Sequence, residues 1–360
     1  MNVFVDAFGN IIGRSRGVKD GVRTVACGSH IDTVPNGGRL DGAYGVLAGI
    51  EAIRTLHEHN ANGGKALQII LFTEEEGARF GSFIGSRGFT RQLTQKAAYS
   101  LKDKDGISFR DAFKASSSLH LAPDAPSRLS RNMDSYVELH IEQGPILEHE
   151  HKSIGVVDSI VGLADLVIEI HGKAGHAGTT PLRLRQDALV GAAKIVTGVR
   201  IIAKATGGNA VATIGTLTVE PGASNVIPGK VTVEVDYRNS SAGGMKILNE
   251  KIILYAKRVG REENLQITHH LKSYTKPVRM SPRIMKIIEA SADSLKLPSK
   301  RMQSGAGHDC QNMAQLTETG MIFVPSRDGI SHTRKEFTEP KQLETGANVL
   351  LLTLQRLSNN

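Results

Sequence analysis

The sequence has no tryptophan, and its 6 tyrosines and 10 phenylalanines offer few platforms on which nucleobases could stack. Cysteine is scarce too. Cys27 and Cys310 form no CxxC pair, which excludes a disulfide scaffold and a thiolate zinc site and suits a reducing, cytoplasmic setting. No long apolar run exists: residues 69–72 and, with interruptions, 195–203 fall far short of the roughly 18 residues of a membrane span. The opening MNVFVDAFGN lacks the basic start and apolar core of a secretory signal. Acidic residues are the minority, 36 against 44 Lys and Arg, and the resulting +8 raises the question of polyanion binding. That surplus is diffuse, with 13 basic and 10 acidic residues between 154 and 271. With no RNA-recognition signature, Cys/His finger or long basic run, the expectation is no nucleic-acid partner and no membrane. The basic surface suits an anionic small substrate or plain solvation.

What is plentiful is glycine, 38 residues, beside 40% hydrophobic residues, enough for the two domains that 360 residues suggest. Residues 22–28 read as an apolar strand bounded by glycine. After Asp41 the apolar positions Val46, Leu47, Ile50, Ile53 and Leu56 repeat at helical spacing, and 66–72 reads as a second buried strand. Strand, helix and strand predict a parallel pair with a right-handed crossover, and ligands of such sheets gather at the carboxyl ends of the strands. SerHisIleAsp (29–32) and GluGluGlu (74–76) stand there. From 154 to 271 the order changes to β-α-β-β-α-β, the split pattern of a ferredoxin-like sandwich. The predicted architecture is α/β: a discontinuous catalytic domain, 1–153 and 272–360, with a mixed, largely parallel sheet, interrupted by an inserted α+β lid or dimerisation domain at 154–271.

A centre for two divalent cations needs His and carboxylate ligands from several elements, one carboxylate able to bridge, and a further acid to move protons. His30 ends the first strand, Asp41 opens the next helix, Glu75 and Glu76 follow the second strand, His140 lies in TyrValGluLeuHisIleGluGln, and His332 lies in GlyIleSerHis. Asp32 is placed to orient the ring of His30. Singly, each has a plain alternative, a surface or core histidine or a solvated acid. Their coincidence at one sheet edge is what points to a site. Rival motifs fail: HisIleGlu at 140–142 lacks the PCxxC half of a zinc deaminase, and there is no phosphate loop, GxSxG or HExxH. His57, His59, His149 and His151 read as exposed faces.

Six motifs carry a resemblance: GlySerHisIleAspThrValProAsnGlyGlyArgLeuAspGly, GluGluGlyAlaArgPhe, GluLeuHisIleGluGlnGly, GlyLysAlaGlyHisAlaGlyThrThrPro, SerGlyAlaGlyHisAsp and GlyIleSerHis. In this order they resemble the N-carbamoyl-L-amino-acid hydrolase and allantoate amidohydrolase group, dinuclear amidohydrolases related to aminoacylases and carboxypeptidase-type metallopeptidases. The likeness runs over essentially the whole chain. It implies a zinc-peptidase-like catalytic domain, and that His30, Asp41, Glu76, His140 and His332 hold two divalent ions (Zn, Mn, Co or Ni), with Asp41 bridging. It makes Glu75 the general acid/base, leaving Glu74 solvated. It implies that Gln143 contacts the ureido group, His176 donates to the tetrahedral oxyanion, Asn225 and Arg238 clamp the substrate carboxylate, and Gly329 joins the substrate site. The plain alternative for Arg238 is a strand-end salt bridge, and for His176 a turn residue before a helix that Thr179 or Thr180 caps. A homodimer through the inserted domain is also implied. Members of the group carry a helical segment ahead of the strand that begins here with Val3, and with it apolar cover for the sheet. GluPheThr at 336–338 resembles the N-carbamoyl-amino-acid branch, so the expected reaction is hydrolysis of an N-carbamoyl-L-amino acid to amino acid, ammonia and carbon dioxide. Allantoate and other ureido acids are the alternatives. A peptidase or aminoacylase, or a non-catalytic binding protein with the same fold, are the more distant readings.

Overall fold

The computed structural model describes residues 1–16, 21–116, 130, 132–207 and 209–359. The chain forms two compact units, Met1–Ile160 with Arg279–Asn360, and Val161–Val278. These junctions lie further along the chain than the expected 153/154 and 271/272. The reason is local: residues 154–160 form a strand of the first unit's sheet, and the last long strand of the second unit continues to Thr275.

The first unit begins with strands β1 (Asn2–Val5), β2 (Ile11–Arg14) and β3 (Thr24–His30), followed by helix α1 (Ala43–Glu58) and strand β4 (Ala66–Phe72). Helices α2 (Ile84–Phe89), α3 (Gln95–Ser100) and α4 (Phe109–Ser116) lead to strand β5 (Met133–Ile141), the short helix α5 (Ile146–His149) and strand β6 (Ile154–Ile160). The second unit holds β7 (Gly162–His171), β8 (Gly175–His176), α6 (Ala188–Thr206), β9 (Val211–Glu220), β10 (Val226–Ile227), β11 (Lys230–Asn239), α7 (Ala242–Glu262) and β12 (Gln266–Thr275). The chain closes with β13 (Val278–Arg279), α8 (Pro282–Ser294), β14 (Ser299–Ser304), α9 (Asp309–Met313), β15 (Glu318–Val324) and α10 (Pro340–Asn359).

The large sheet runs β1-β2-β4-β3-β5-β15-β6-β13, with β14 also paired to β6. Its centre, β4-β3-β5-β15, is parallel, and antiparallel pairs flank it. Every residue of β3 is buried, as expected for a parallel strand covered on both faces. Gly28 is required there: a Cβ on it would stand 2.0 Å from the carbonyl oxygen of Ile70 on β4.

Helix α1 corrects one expectation. Val46, Ile53 and Leu56 are buried, but Leu47 is 67% and Ile50 41% exposed. The buried face is built largely from Gly45, Ala48, Gly49 and Ala52. A Cβ at Gly45 would meet the Leu139 carbonyl oxygen at 2.1 Å, so the helix lies directly on the backbone of β5. Close approach, rather than large side chains, seats this helix and the loop before it.

The second unit has a four-stranded antiparallel sheet in the order β12-β7-β11-β9, the ferredoxin-like arrangement. Strand β11 alternates half-buried and buried residues along its length. Val231, Val233 and Val235 join Leu166, Ile168 and Ile170 of β7 in a core with Ile195 of α6 and Ile252 of α7. Asp187 caps α6, accepting from the amides of Leu189 and Val190 at 3.0 and 3.3 Å, a contact worth about 1 kcal/mol. Among the described residues no helix is long and apolar enough to cross a membrane.

Asp6, at the turn between β1 and β2, is fully buried, and burial pushes its carboxyl up to about 6 even though it accepts from the amides of Phe8 and Asn10 and from the Asn10 side chain. The folded chain therefore binds this proton more tightly than the unfolded one, and stability falls as pH rises from about 4 to 6. Asp6→Asn is expected to gain stability relative to the parent across that window, by up to about 3 kcal/mol. Urea denaturation at pH 4 and pH 7 checks it, and an unchanged difference between the two pH values would contradict it.

Candidate metal centre

The carboxyl edge of the parallel strands gathers the expected ligands. His30 is the last residue of β3, Glu75 and Glu76 follow β4, and His140 is the penultimate residue of β5. Asp41 precedes α1, and His332 lies in the loop after β15 with a left-handed backbone, φ 57°. His30, Asp41 and His140 place ligand atoms within 4.8 Å of one another, and so do Asp41, Glu76 and His332. Asp41 belongs to both groups. Its Oδ1 lies 3.1 Å from His140 Nε2 and 3.8 Å from His30 Nε2, while its Oδ2 lies 3.3 Å from His332 Nε2.

The rings are oriented from behind. His140 Nδ1 bonds the carbonyl of Ile141 at 2.8 Å and His30 Nδ1 bonds the carbonyl of Asp32 at 2.9 Å, leaving each Nε2 directed at Asp41. This refines the role of Asp32. Its carboxylate is 3.8 Å from the His30 ring and instead accepts the amides of Glu75 and Glu76 at 3.3 and 3.1 Å, fixing the acidic turn. Gly42 allows the approach of His30: it has φ 64°, and a Cβ would stand 2.5 Å from the ring.

The electrostatics suit a cation. Burial works to raise the Asp41 carboxyl, but the hydrogen bond from His140 and the charges of His140 and His30 win and hold it below the usual range. Burial alone would lower His140, yet the contact with Asp41 and the charge of Glu138 raise it to about 9. Glu76 is pushed up to about 8 by burial and the neighbouring Asp41. Glu75 is driven well upward by burial and by the charges of Asp309, Glu76 and Glu138. Glu76 Oε1 and Gln143 Oε1 are buried without a hydrogen-bond partner. Orphaned oxygens among acids that repel one another are the signature of a site completed by positive charge, and the hard and borderline N/O donors fit a divalent ion.

Gln143, with φ 58°, reaches Asp41 Oδ2 at 2.9 Å and His332 Nε2 at 3.3 Å. Gly329, φ 64°, packs where a Cβ would stand 2.7 Å from the amide nitrogen of Pro145. The other expected residues lie in the second unit. His176 is exposed, pairs with Val226 across β8 and β10, and accepts the amides of Gly178 and Thr179 at Nδ1 (3.0 and 3.3 Å). That fixes the proton on Nε2. No helix capped by Thr179 or Thr180 follows: residues 182–184 form a single 3-10 turn without a side-chain cap. The carbonyl of Asn225 accepts the amide of Ala177, so His176 and Asn225 come together. Arg238 lies on β11, engaged by Asp236 through two hydrogen bonds of 3.0 and 2.8 Å. The strand-end ion pair is thus present. Glu74 accepts the amides of Arg79 and Phe80. His57, His59, His149 and His151 are exposed.

Residues given no role from sequence line the floor. His308 is buried, its ring centroid 4.6 Å from that of His140 and its Nε2 3.0 Å from Ser304 Oγ. Glu138, fully buried, accepts from Ser29 Oγ at 2.9 Å and from the Cys310 amide at 2.7 Å. Glu336, read from sequence only as a branch marker, joins two ligand loops: Oε1 accepts the amides of Leu40 and Asp41 (3.1 and 3.0 Å) and Oε2 the Ser331 hydroxyl (2.7 Å). Glu336→Gln would turn an NH2 group toward one set of donors. It is expected to lower stability by about 1–3 kcal/mol and to loosen metal retention, read by thermal unfolding and metal content after dialysis. Unchanged values in both would show that the two loops hold without this strap.

Comparison with known proteins gives related sequences and a related fold. The pattern of Peptidase family M20/M25/M40 matches residues 26–356. The chain is 38% identical over 358 residues to an N-carbamoyl-L-amino-acid amidohydrolase of Paenarthrobacter aurescens, covering 99% of this chain and 87% of that protein. It is 35% identical over 354 residues to an allantoate amidohydrolase of Escherichia coli, covering 98% and 86%. A crystal structure of a hydantoinase/carbamoylase family amidase from Burkholderia multivorans superposes with a TM-score of 0.92 at 35% identity, covering 100% of this chain and 87% of that one.

Proposed function

The chain belongs to Peptidase family M20/M25/M40 and is a hydrolase of carbon–nitrogen bonds; from that premise we propose that it cleaves the ureido bond of an N-carbamoyl-L-amino acid. The observation that carries the reading is Asp41, whose two oxygens face two ligand sets with Gln143 on the same side. His30, His140 and Asp41 would hold one divalent ion, and Asp41, Glu76 and His332 a second. Zn, Mn, Co and Ni all suit these donors. When bound, such a pair supplies the Lewis acidity that lowers the pKa of water and polarises a carbonyl oxygen.

The side chains supply the rest. Glu75 is buried beside the ligands, its Oε2 3.8 Å from His30 Nε2. It takes a proton from the attacking water and returns it to the departing ammonia. The remaining carbamate loses carbon dioxide to give the free amino acid. Gln143 and the Gly329 loop receive the ureido group. His176, with its proton on Nε2, is assigned to the oxyanion, and Asn225 and Arg238 to the substrate carboxylate, where an Arg fork gives a planar bidentate partner. A homodimer through the second unit belongs to the same reading, and a fully active monomer would remove it.

Ammonia release by the metal-loaded protein from a panel of N-carbamoyl-L-amino acids and allantoate tests the proposal. Highest kcat/KM on an N-carbamoyl-L-amino acid supports it. Preference for allantoate transfers the activity to that alternative. No release from any member with metals bound would overturn it.

A further inference from the structure

The loops that carry Asp41 and His332 continue into a cleft of about 600 Å³ that holds four cationic side chains, Arg39, Arg327, Arg334 and Lys335. Elsewhere the positive surplus of this sequence is diffuse, so the concentration is local. Arg327 is answered by Glu339 and lies 4.0 Å over the ring of Phe337. Arg334 reaches a neutral acceptor, Asn36 Oδ1, at 3.2 Å. Arg39 and Lys335 are exposed and have no acidic partner within ion-pair distance among the described residues. The acid in the wall, Glu336, has its oxygens taken by the amides of Leu40 and Asp41 and by Ser331.

Like charges around a concave surface raise the local potential and favour an anion there. Arginine offers planar forks and lysine a point charge, a donor set that matches oxyanion oxygens. The volume suits a small molecule rather than a polymer. We propose that this cleft binds a small oxyanion group, of the phosphate or carboxylate class, at a site distinct from the metal centre. Glu336 forms part of its wall and ties down Asp41 and Ser331, so an occupant sits against the strap that positions two metal ligands. The oxyanion has two possible sources: a free anion, or the second carboxylate of an acidic substrate, which rests on the function proposed above.

Calorimetric titration of inorganic phosphate into the metal-loaded protein tests the site. Binding should persist in Asp41→Asn dialysed against a chelator, which leaves no ion for phosphate to ligate at the metal centre. It should weaken about tenfold or more in Arg39→Ala/Arg334→Ala/Lys335→Ala, the scale expected from losing charge-assisted contacts. Equal affinity in the triple variant, or complete loss in chelator-treated Asp41→Asn, would overturn the proposal. Kinetics separate the sources. A selective rise of about tenfold in KM for N-carbamoyl-L-aspartate, with N-carbamoyl-L-alanine unaffected, assigns the cleft to an acidic substrate. Unchanged KM for both, with phosphate binding lost, assigns it to a free anion. If neither compound is hydrolysed, the proposed function fails while the phosphate titration still decides the site.

Discussion

Glu75→Gln is expected to lower kcat by about 10²–10⁴-fold, the range that a positioned proton-transfer group contributes, with the metal content unchanged. Three features fit Glu75 to this role. Its Oε2 stands 3.8 Å from His30 Nε2, while Glu76 shares a ligand cluster with Asp41 and His332. Its side chain is 7% exposed, out of the bulk water that would otherwise exchange its proton. The Asp32 carboxylate holds its backbone amide, so the near-isosteric amide should occupy the same place. Glutamine there can accept a hydrogen bond but cannot carry the proton to the leaving nitrogen. Ammonia release and elemental analysis on the same preparation check the prediction. Full activity with full metal content would remove Glu75 from the mechanism, and loss of metal would make it a ligand.

The same comparison explains what could be read from the sequence. Strand β4 was expected at 66–72 and lies there, because a short apolar run between polar turns has one stable solution in a parallel sheet. His30 and the acidic pair follow from it, since the carboxyl edge of such strands is one place. Helix α1 was harder: Gly45 and Gly49 carry no signal in a search for large apolar residues, yet Gly45 brings the helix onto the backbone of β5 and Gly49 brings it against Ile69 of β4 and Cys27 of β3. Glu138, His308 and Glu336 were opaque for a different reason. Each acts through partners far away in the chain, such as Glu336 with Asp41, and periodicity carries no information about such pairs. The junctions shifted because β6 is strand-like by any local measure, and only its pairing with β14 and β15 assigns it to the first unit. Cys27 and Cys310, scarce in the sequence, are both buried and free. Cys27 lies in β3 and Cys310 in α9, and neither belongs to a ligand cluster.

Asp41→Asn should have the largest effect of all. The carboxylate is the single group common to both ligand clusters, with Oδ1 toward His140 and His30 and Oδ2 toward His332. An amide keeps the shape and one acceptor but presents NH2 to one of the two sets, where its hydrogens oppose a cation. Activity is expected to fall about 10³-fold or more, the several kcal/mol that an ion pair of this kind supplies, and neither ion should be held at full occupancy. His332→Ala provides the contrast. It belongs to one cluster only and its side chain is 51% exposed, so it should release one ion and leave the His30–His140 site filled. Metal equivalents after dialysis distinguish the two variants directly. If Asp41→Asn kept two equivalents, the shared-ligand geometry would be wrong. If His332→Ala emptied both sites, the clusters would be one cooperative unit, and the assignment of separate ligand sets to separate ions would have to be abandoned.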